Sequence, residues 1–378
     1  MTASNRNFGL DVVRAAAIGL VLLSHGRACL ETSCPILKDF FVLGYLGVEI
    51  FFVLSGFLIG GILINVIKPG CRSADIRNFW IRRWFRTLPN YYLFLAVEFI
   101  LAAAFVKHAV LSKFLLYPVF LQTFSYTVRP VYFSVSWSLA VEEWFYLLIP
   151  VALFACLKVL GSFRRSLIFT SSFVVAGLLA LRFFYVFQFN ADWGPDIRNT
   201  TILRLDSIVF GIIAAFLFAR CPTLWERLKV PAFLAGAVVL VVNAIYLQFV
   251  DRDASLYART LQFTVVPASI ALCFPLLRTL RLPQTHSPKV VGLKWVVAQV
   301  SLWSYSLYLC HMIVLRFIFS GREALDKVAP GHVLLKDVGF FMVFLGVSLG
   351  ISALTYNFFE KPMTSMRERF SRRERHSY

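Results

Sequence analysis

"RAAAIGLVLLSH" (residues 14–25) holds an arginine and a histidine at the two ends of ten residues that carry no charge and one polar side chain, Ser24. In a helix, the steps from Arg14 to His25 turn about 1100°, roughly 20° past three full turns, so both side chains stand on one face about 16 Å apart along the axis. The apolar window around them runs from 8 to 28, and about 20 such residues cross a hydrocarbon core of about 30 Å. The stretch therefore reads as a membrane-spanning helix with two ionisable groups aligned along one path.

The rest of the chain extends that reading. Its 378 residues are 59% hydrophobic and 16% aromatic, with a mean hydropathy of +0.73, well beyond the roughly 45–50% apolar usage of soluble domains. Further windows of spanning length fall at 44–67, 91–107, 136–157, 166–188, 202–219, 231–250, 260–277, 295–319 and 337–358. The expectation is an all-α polytopic membrane bundle of about ten transmembrane helices, with one integral-membrane domain over 1–362 and a basic tail over 363–378. "FLLYPVFLQTF" (114–124) is shorter than a span and contains Pro118, so it reads as re-entrant or interfacial. An eleventh crossing there would reverse everything after it.

Charge placement orients the bundle. Lys and Arg collect in cytoplasmic loops, and with the N-terminus inside most of the 38 Lys and Arg fall on that side. Loop 68–90 carries Lys68, Arg72, Arg77, Arg82, Arg83 and Arg86, and the tail "KPMTSMRERFSRRERHSY" adds more. Both termini are thus expected in the cytoplasm. The formal charge of +18 follows from topology and contact with anionic lipid, and no nucleic-acid partner is needed to account for it. "MTASNRNFGLD" offers only Arg6 as a basic n-region and no clear cleavage site follows, so the first span reads as a retained anchor. The seven cysteines show no metal-ligand spacing, and no metal is expected. Cys29 and Cys34 fall in the first outer loop, where a disulfide and two free thiols are both open.

Ionisable groups inside a membrane cost at least ~2.5–3.5 kcal/mol each on insertion scales, so they face a cavity or a partner. Here they are Asp11, Arg14 and His25 in span one, Glu49 in span two, Glu142 and Glu143 in span four, Arg204 and Asp206 in span six, and His311 and Arg316 in span nine. Asp11 lies one turn before Arg14, where an i,i+3 pair can hold the guanidinium. Snorkelling to the two interfaces is the competing account of Arg14 and His25, but it gives no reason for a shared face. Histidine, with a reference pKa of about 6.5, suits the removal of a proton from a hydroxyl. A fixed guanidinium suits phosphate or carboxylate, and "IRRWFRTLPNYY" sets Arg83 and Arg86 one turn apart beside the inner mouth. Positive-inside anchoring would place these arginines there equally well. Glu142 and Glu143 point roughly 100° apart, so one faces the site and the other meets an arginine or keeps its proton. His311 reads as much like a hydrogen-bonded packing residue as like part of a site.

Six motifs in order carry a resemblance: "LDVVRAAAIGLVLLSH", "GYLGVEIFFVLSGFLIGGIL", "IRRWFRTLP", "SWSLAVEEWFYLLIP", "SYSLYLCH" and "FFEKP". Together they resemble integral-membrane acyltransferase family 3, the sugar O-acyltransferases of bacterial envelopes, over nearly the whole chain. The resemblance implies transfer of an acyl group, usually acetyl, from cytoplasmic acyl-coenzyme A to a hydroxyl of a glycan or lipid-linked sugar, in the bacterial inner membrane. His25 is similar to the family's essential histidine, Arg14 to its partner arginine, Arg83 and Arg86 to the basic motif that meets the donor, and Glu142 to the family's carboxylate. Glu49, where the family commonly has aspartate, joins Asp11 and Glu143 as support.

The chain also departs from the pattern. The tryptophan and proline that flank the family's late histidine are absent, with Cys310 before His311 and Ile313 after Met312, which puts any role for His311 in doubt. No hydrolase-like domain follows "EKP" at 360–362. The single domain is therefore expected to complete the transfer, or to hand the acyl group to another protein. The mechanism expected is deprotonation of an acceptor hydroxyl by His25, with Glu142 or Glu49 orienting the imidazole. A transporter or flippase for a lipid-linked glycan is the rival reading, although neither repeated halves nor interrupted spans are evident. A receptor or scaffold leaves the buried charges unexplained.

Overall fold

The computed structural model describes residues 6–37, 42–105, 111–124, 132–282, 287–328 and 333–371, most of them helical and none in a strand. The helices are α1 (Phe8–Gly26), α2 (Val42–Val66), α3 (Ser73–Phe105), α4 (Ser136–Leu160), α5 (Phe163–Phe189), α6 (Asp206–Arg220), α7 (Pro222–Phe249), α8 (Leu256–Arg259), α9 (Gln262–Leu277), α10 (Pro288–Val328), α11 (Val333–Thr355) and α12 (Lys361–Ser371). Eight of these, α1 to α5, α7, α10 and α11, are long and apolar enough to cross a membrane. Large apolar side chains stand exposed along them, among them Phe169, Phe173 and Phe187 on α5 and Leu234, Val238 and Val242 on α7. Such a surface is a lipid-facing one. All ten expected windows fall on helices, but α6 and α9 have 15 and 16 residues. At 1.5 Å per residue they reach only ~22–24 Å, short of a full core.

Helix ends differ from the expected spans where charge interrupts hydropathy. Helix α3 begins at Ser73 rather than 91 and runs 33 residues. The loop read over 68–90 is thus largely its first half. The Asp75 carboxylate accepts the Arg72 backbone N–H at 2.8 Å, a side chain reaching back to close the first turn. Helix α10, at 41 residues, likewise outruns the hydrocarbon. Between α11 and α12 a single π turn, Tyr356–Glu360, absorbs Pro362, whose ring would clash with a carbonyl of a regular helix and whose nitrogen cannot donate. The tail therefore opens as helix.

The chain forms two compact units: Met1–Val48 with Phe85–Ala104 and Arg281–Tyr378, and Glu49–Trp84 with Phe105–Leu280. Helices α2 and α3 supply residues to each. In the first unit, α1 and α10 run parallel. Ser301 donates to Asp11 at 2.7 Å, His25 meets His311 at 2.9 Å, and Arg322 donates to the Cys29 carbonyl at 3.0 Å. Helix α3 runs the same way, with Tyr305 bonded to the Thr87 carbonyl at 2.9 Å and Arg316 to Glu98 at 2.9 Å. Helix α11 runs against them, with Asp337 on Arg322 at 2.7 Å and Ser352 beside Cys310 at 3.3 Å. Because α10 follows the direction of α3, an odd number of crossings lies between them, so α6 and α9 both cross or neither does. Cys29 and Cys34 are free thiols.

In the second unit, α2 and α6 approach until backbone touches backbone. A Cβ at Gly56 would collide with the Ile208 carbonyl, and one at Gly211 with that of Val53. Small residues at this spacing let helices meet without a hydrophobic drive between them. The 114–124 segment carries no helix of spanning length. After a short 3₁₀ stretch, Leu111–Leu116, the Phe120 carbonyl accepts Trp144 Nε1 at 3.0 Å and the Thr123 carbonyl accepts the Thr201 N–H at 2.7 Å. Irregular backbone of this kind is tolerated at membrane depth when protein surrounds it, and Gln122 and Thr123 are buried.

Candidate functional site

Two groups of polar side chains occupy the two units. In the first, α1 is unbroken from Phe8 to Gly26, so the shared face of Arg14 and His25 holds. His25 is partly exposed and His311 wholly buried. His25 Nδ1 lies 2.9 Å from His311 Nε2, with ring centroids 5.0 Å apart and planes tilted 22°. His311 Nδ1 in turn lies 2.8 Å from the Tyr308 carbonyl and 3.2 Å from that of Leu307, both on its own helix. The nitrogen of His25 that an orienting carboxylate would take is therefore taken by His311. The expectation had given that place to Glu142 or Glu49.

About three to four turns along α1 from His25, the helix joins a denser set of charges. Asp11, expected beside Arg14, accepts Arg6 Nη2 at 2.5 Å, Arg6 Nε at 3.1 Å and Ser301 at 2.7 Å. Glu360, in the π turn, accepts Ser306 at 2.6 Å and Asn90 at 3.2 Å, and both Arg86 and Arg14 act on it through charge. Segments distant in sequence thus bring two of the expected donor-binding arginines to one carboxylate. Guanidinium groups that a carboxylate attracts without sealing are suited to phosphate oxygens, and Arg86 is exposed.

In the second unit, Arg83 and Glu142 come together around a buried tyrosine. Arg83 Nη2 donates to Tyr146 Oη at 2.5 Å and its guanidinium stands over the Tyr146 ring at 4.1 Å. Tyr146 donates to Glu142 Oε2 at 2.9 Å and also meets Ser55. Arg83 and Glu142 lie 3.5 Å apart. Of the adjacent pair, Glu142 is thus the carboxylate that meets an arginine, while Glu143 is buried. Glu49 is bonded to Arg204, and Arg182 makes two bonds to Asp206 at 3.1 and 2.7 Å, all four side chains fully buried.

Sequence reading missed Arg6, Tyr146 and Glu360 and left His311 open. Tyr146 and Glu360 both sit inside quoted motifs, and Glu360 fell two residues beyond the expected end of its span. Glu360 lies outside an apolar window and Tyr146 carries no charge, so neither registers as an ionisable group within a span.

Comparison with known proteins adds the family. The family described as "Acyltransferase domain" matches residues 7–357. A "Putative O-acetyltransferase" of Staphylococcus aureus (strain COL) is 26% identical over 94% of this chain and 56% of its own length. A "Peptidoglycan O-acetyltransferase" of Listeria monocytogenes is 27% identical over 85% of this chain and 51% of its own. The chain spans about half the length of these relatives. No solved structure matches it. A match over almost the entire helical bundle makes the chain a member of acyltransferase family 3, a family of multi-pass membrane O-acyltransferases.

Proposed function

We propose that the protein moves an acyl group, acetyl in the first instance, from cytoplasmic acyl-coenzyme A to a hydroxyl of an envelope glycan or lipid-linked sugar on the outer side of a bacterial inner membrane. Family membership supports acyl transfer. The observation that carries the mechanism is a partly exposed imidazole, His25, held through one nitrogen by a sealed partner.

In this reading the acceptor O–H gives its proton to His25 as the oxygen attacks the thioester carbonyl. The tetrahedral intermediate collapses to the new ester, and the coenzyme A thiolate leaves and recovers the proton from the imidazolium. Arg14 and Arg86 take phosphate oxygens of the donor beside the Glu360 carboxylate. Arg83, the other arginine expected to meet the donor, has its plane fixed by Glu142 and Tyr146, so Glu142 serves by positioning. Asp11 ties Arg6 to Ser301 of α10, while Glu49, paired with Arg204, and Glu143 support the packing of their own unit. The Listeria relative's name makes peptidoglycan the first acceptor to offer.

The test uses the full chain in detergent with acetyl-labelled acetyl-coenzyme A and envelope glycan, wild type beside His25→Ala. Label passing to glycan only with His25 present is the expected result. Binding of donor without transfer would reject the acceptor or acyl group chosen. No binding of donor would reject the acyltransferase mechanism in favour of transport.

A further inference from the structure

We infer that His311 is a positioning residue that fixes the tautomer of His25, so that Nε2 of His25 is the nitrogen that takes the acceptor's proton. The inference rests on the acyl-transfer reading for its consequence, but its chemistry is local to α1 and α10.

The hydrogen-bond chain has one direction. Two carbonyl oxygens lie 2.8 and 3.2 Å from His311 Nδ1, and a carbonyl only accepts, so Nδ1 carries the hydrogen. Among the described residues the partners of His311 are these carbonyls, His25 and the Tyr308 ring at 5.7 Å. None is anionic, and nothing there holds a second proton on the ring. His311 Nε2 is then a lone pair. At 2.9 Å from it, His25 Nδ1 must be the donor, which leaves His25 Nε2 unprotonated and basic.

The arrangement does for His25 what a carboxylate does for the histidine of a Ser-His-Asp triad, with a neutral acceptor. Proton uptake at His25 Nε2 places positive charge on a ring whose Nδ1–H already points at a lone pair, and that bond strengthens as the charge develops. His311 is wholly buried and His25 is not, so of the two rings His25 is the one that an incoming molecule can reach. The tie points on either side of the pair, Asp11 with Ser301 and Cys29 with Arg322, keep the two rings in register.

The experiment combines two readouts on the full chain in detergent. The first is the ¹⁵N spectrum of histidine-labelled wild type, assigned with His25→Ala and His311→Ala; the chain has six histidines. The expected spectrum has a protonated Nδ1 and an unprotonated Nε2 for both His25 and His311. A His25 protonated at Nε2 overturns the inference whether or not the protein transfers acetyl groups. The second is kinetic. His311→Ala is expected to lower kcat roughly 10²-fold with KM for acetyl-coenzyme A within about twofold. His311→Gln, whose carbonyl can accept from His25 Nδ1, should recover to within about tenfold of wild type. Equal loss in both variants, or loss confined to KM, overturns the positioning role. A wild type that gives the expected spectrum and no transfer would reject the acyl-transfer reading alone.

Discussion

Buried charge takes two forms in this protein, and they differ in what is left open. In the second unit, Arg204 with Glu49 and Arg182 with Asp206 are fully sealed, and Arg182 also bonds to Thr264 at 2.6 Å. Desolvating such pairs is costly and their worth lies in fixing which helices meet. In the first unit, His311 is sealed but His25 is not, and Glu360 feels the charge of two arginines, of which Arg86 is exposed. A sealed pair has no capacity to exchange partners, whereas a half-open one has a fixed side and a working side. Burial of a charged residue in a membrane protein thus marks function only when one partner stays within reach of a ligand.

The largest effect should come from the open side. His25→Ala is expected to cut acetyl transfer at least about 10³-fold, some 4 kcal/mol of barrier, while shifting the detergent melting temperature by only a few degrees. Next, Arg204→Ala should cost about 3–5 kcal/mol of stability by leaving Glu49 buried and uncompensated, seen as early unfolding in a thermal scan. The double variant Glu49→Gln with Arg204→Met should recover most of that loss; if it stays unstable, the sealed pair is more than a staple. Arg86→Ala is expected to raise KM for acetyl-coenzyme A about tenfold with little change in kcat, the mark of lost uniform binding. Smallest of all, Lys229→Ala removes an exposed pair with Glu226 and should change the melting temperature by no more than the scatter of the measurement. Loss of activity in this last variant would break the comparison outright.

Much of the fold was legible because apolar windows of spanning length are a strong signal. Its failures were local and physical. Helix α3 was cut short because Arg77, Arg82, Arg83 and Arg86 depress hydropathy without opposing helix, and the Thr201–Leu203 turn was absorbed into span six because it is as apolar as α6 itself. At the site, spacing within one helix found Arg14 and His25, since helix geometry is fixed. It could not find His311 as a partner, because that contact joins residues far apart in sequence and is set by how α1 and α10 pack. Nor could composition tell that Glu142 and Arg83 share Tyr146, a contact between different helices.

The pairing of His25 with His311 spans 286 residues of sequence, and this has a consequence for biosynthesis. At roughly 5–20 residues per second, α1 waits about 15–60 s on the ribosome before its partner is made. During that interval Asp11, Arg14 and His25 reside in the nascent bundle without Ser301, His311 or Glu360 to receive them. Arg6 alone is at hand to meet Asp11, so a chain that terminates before α10 leaves His25 in α1 without the acceptor that His311 provides.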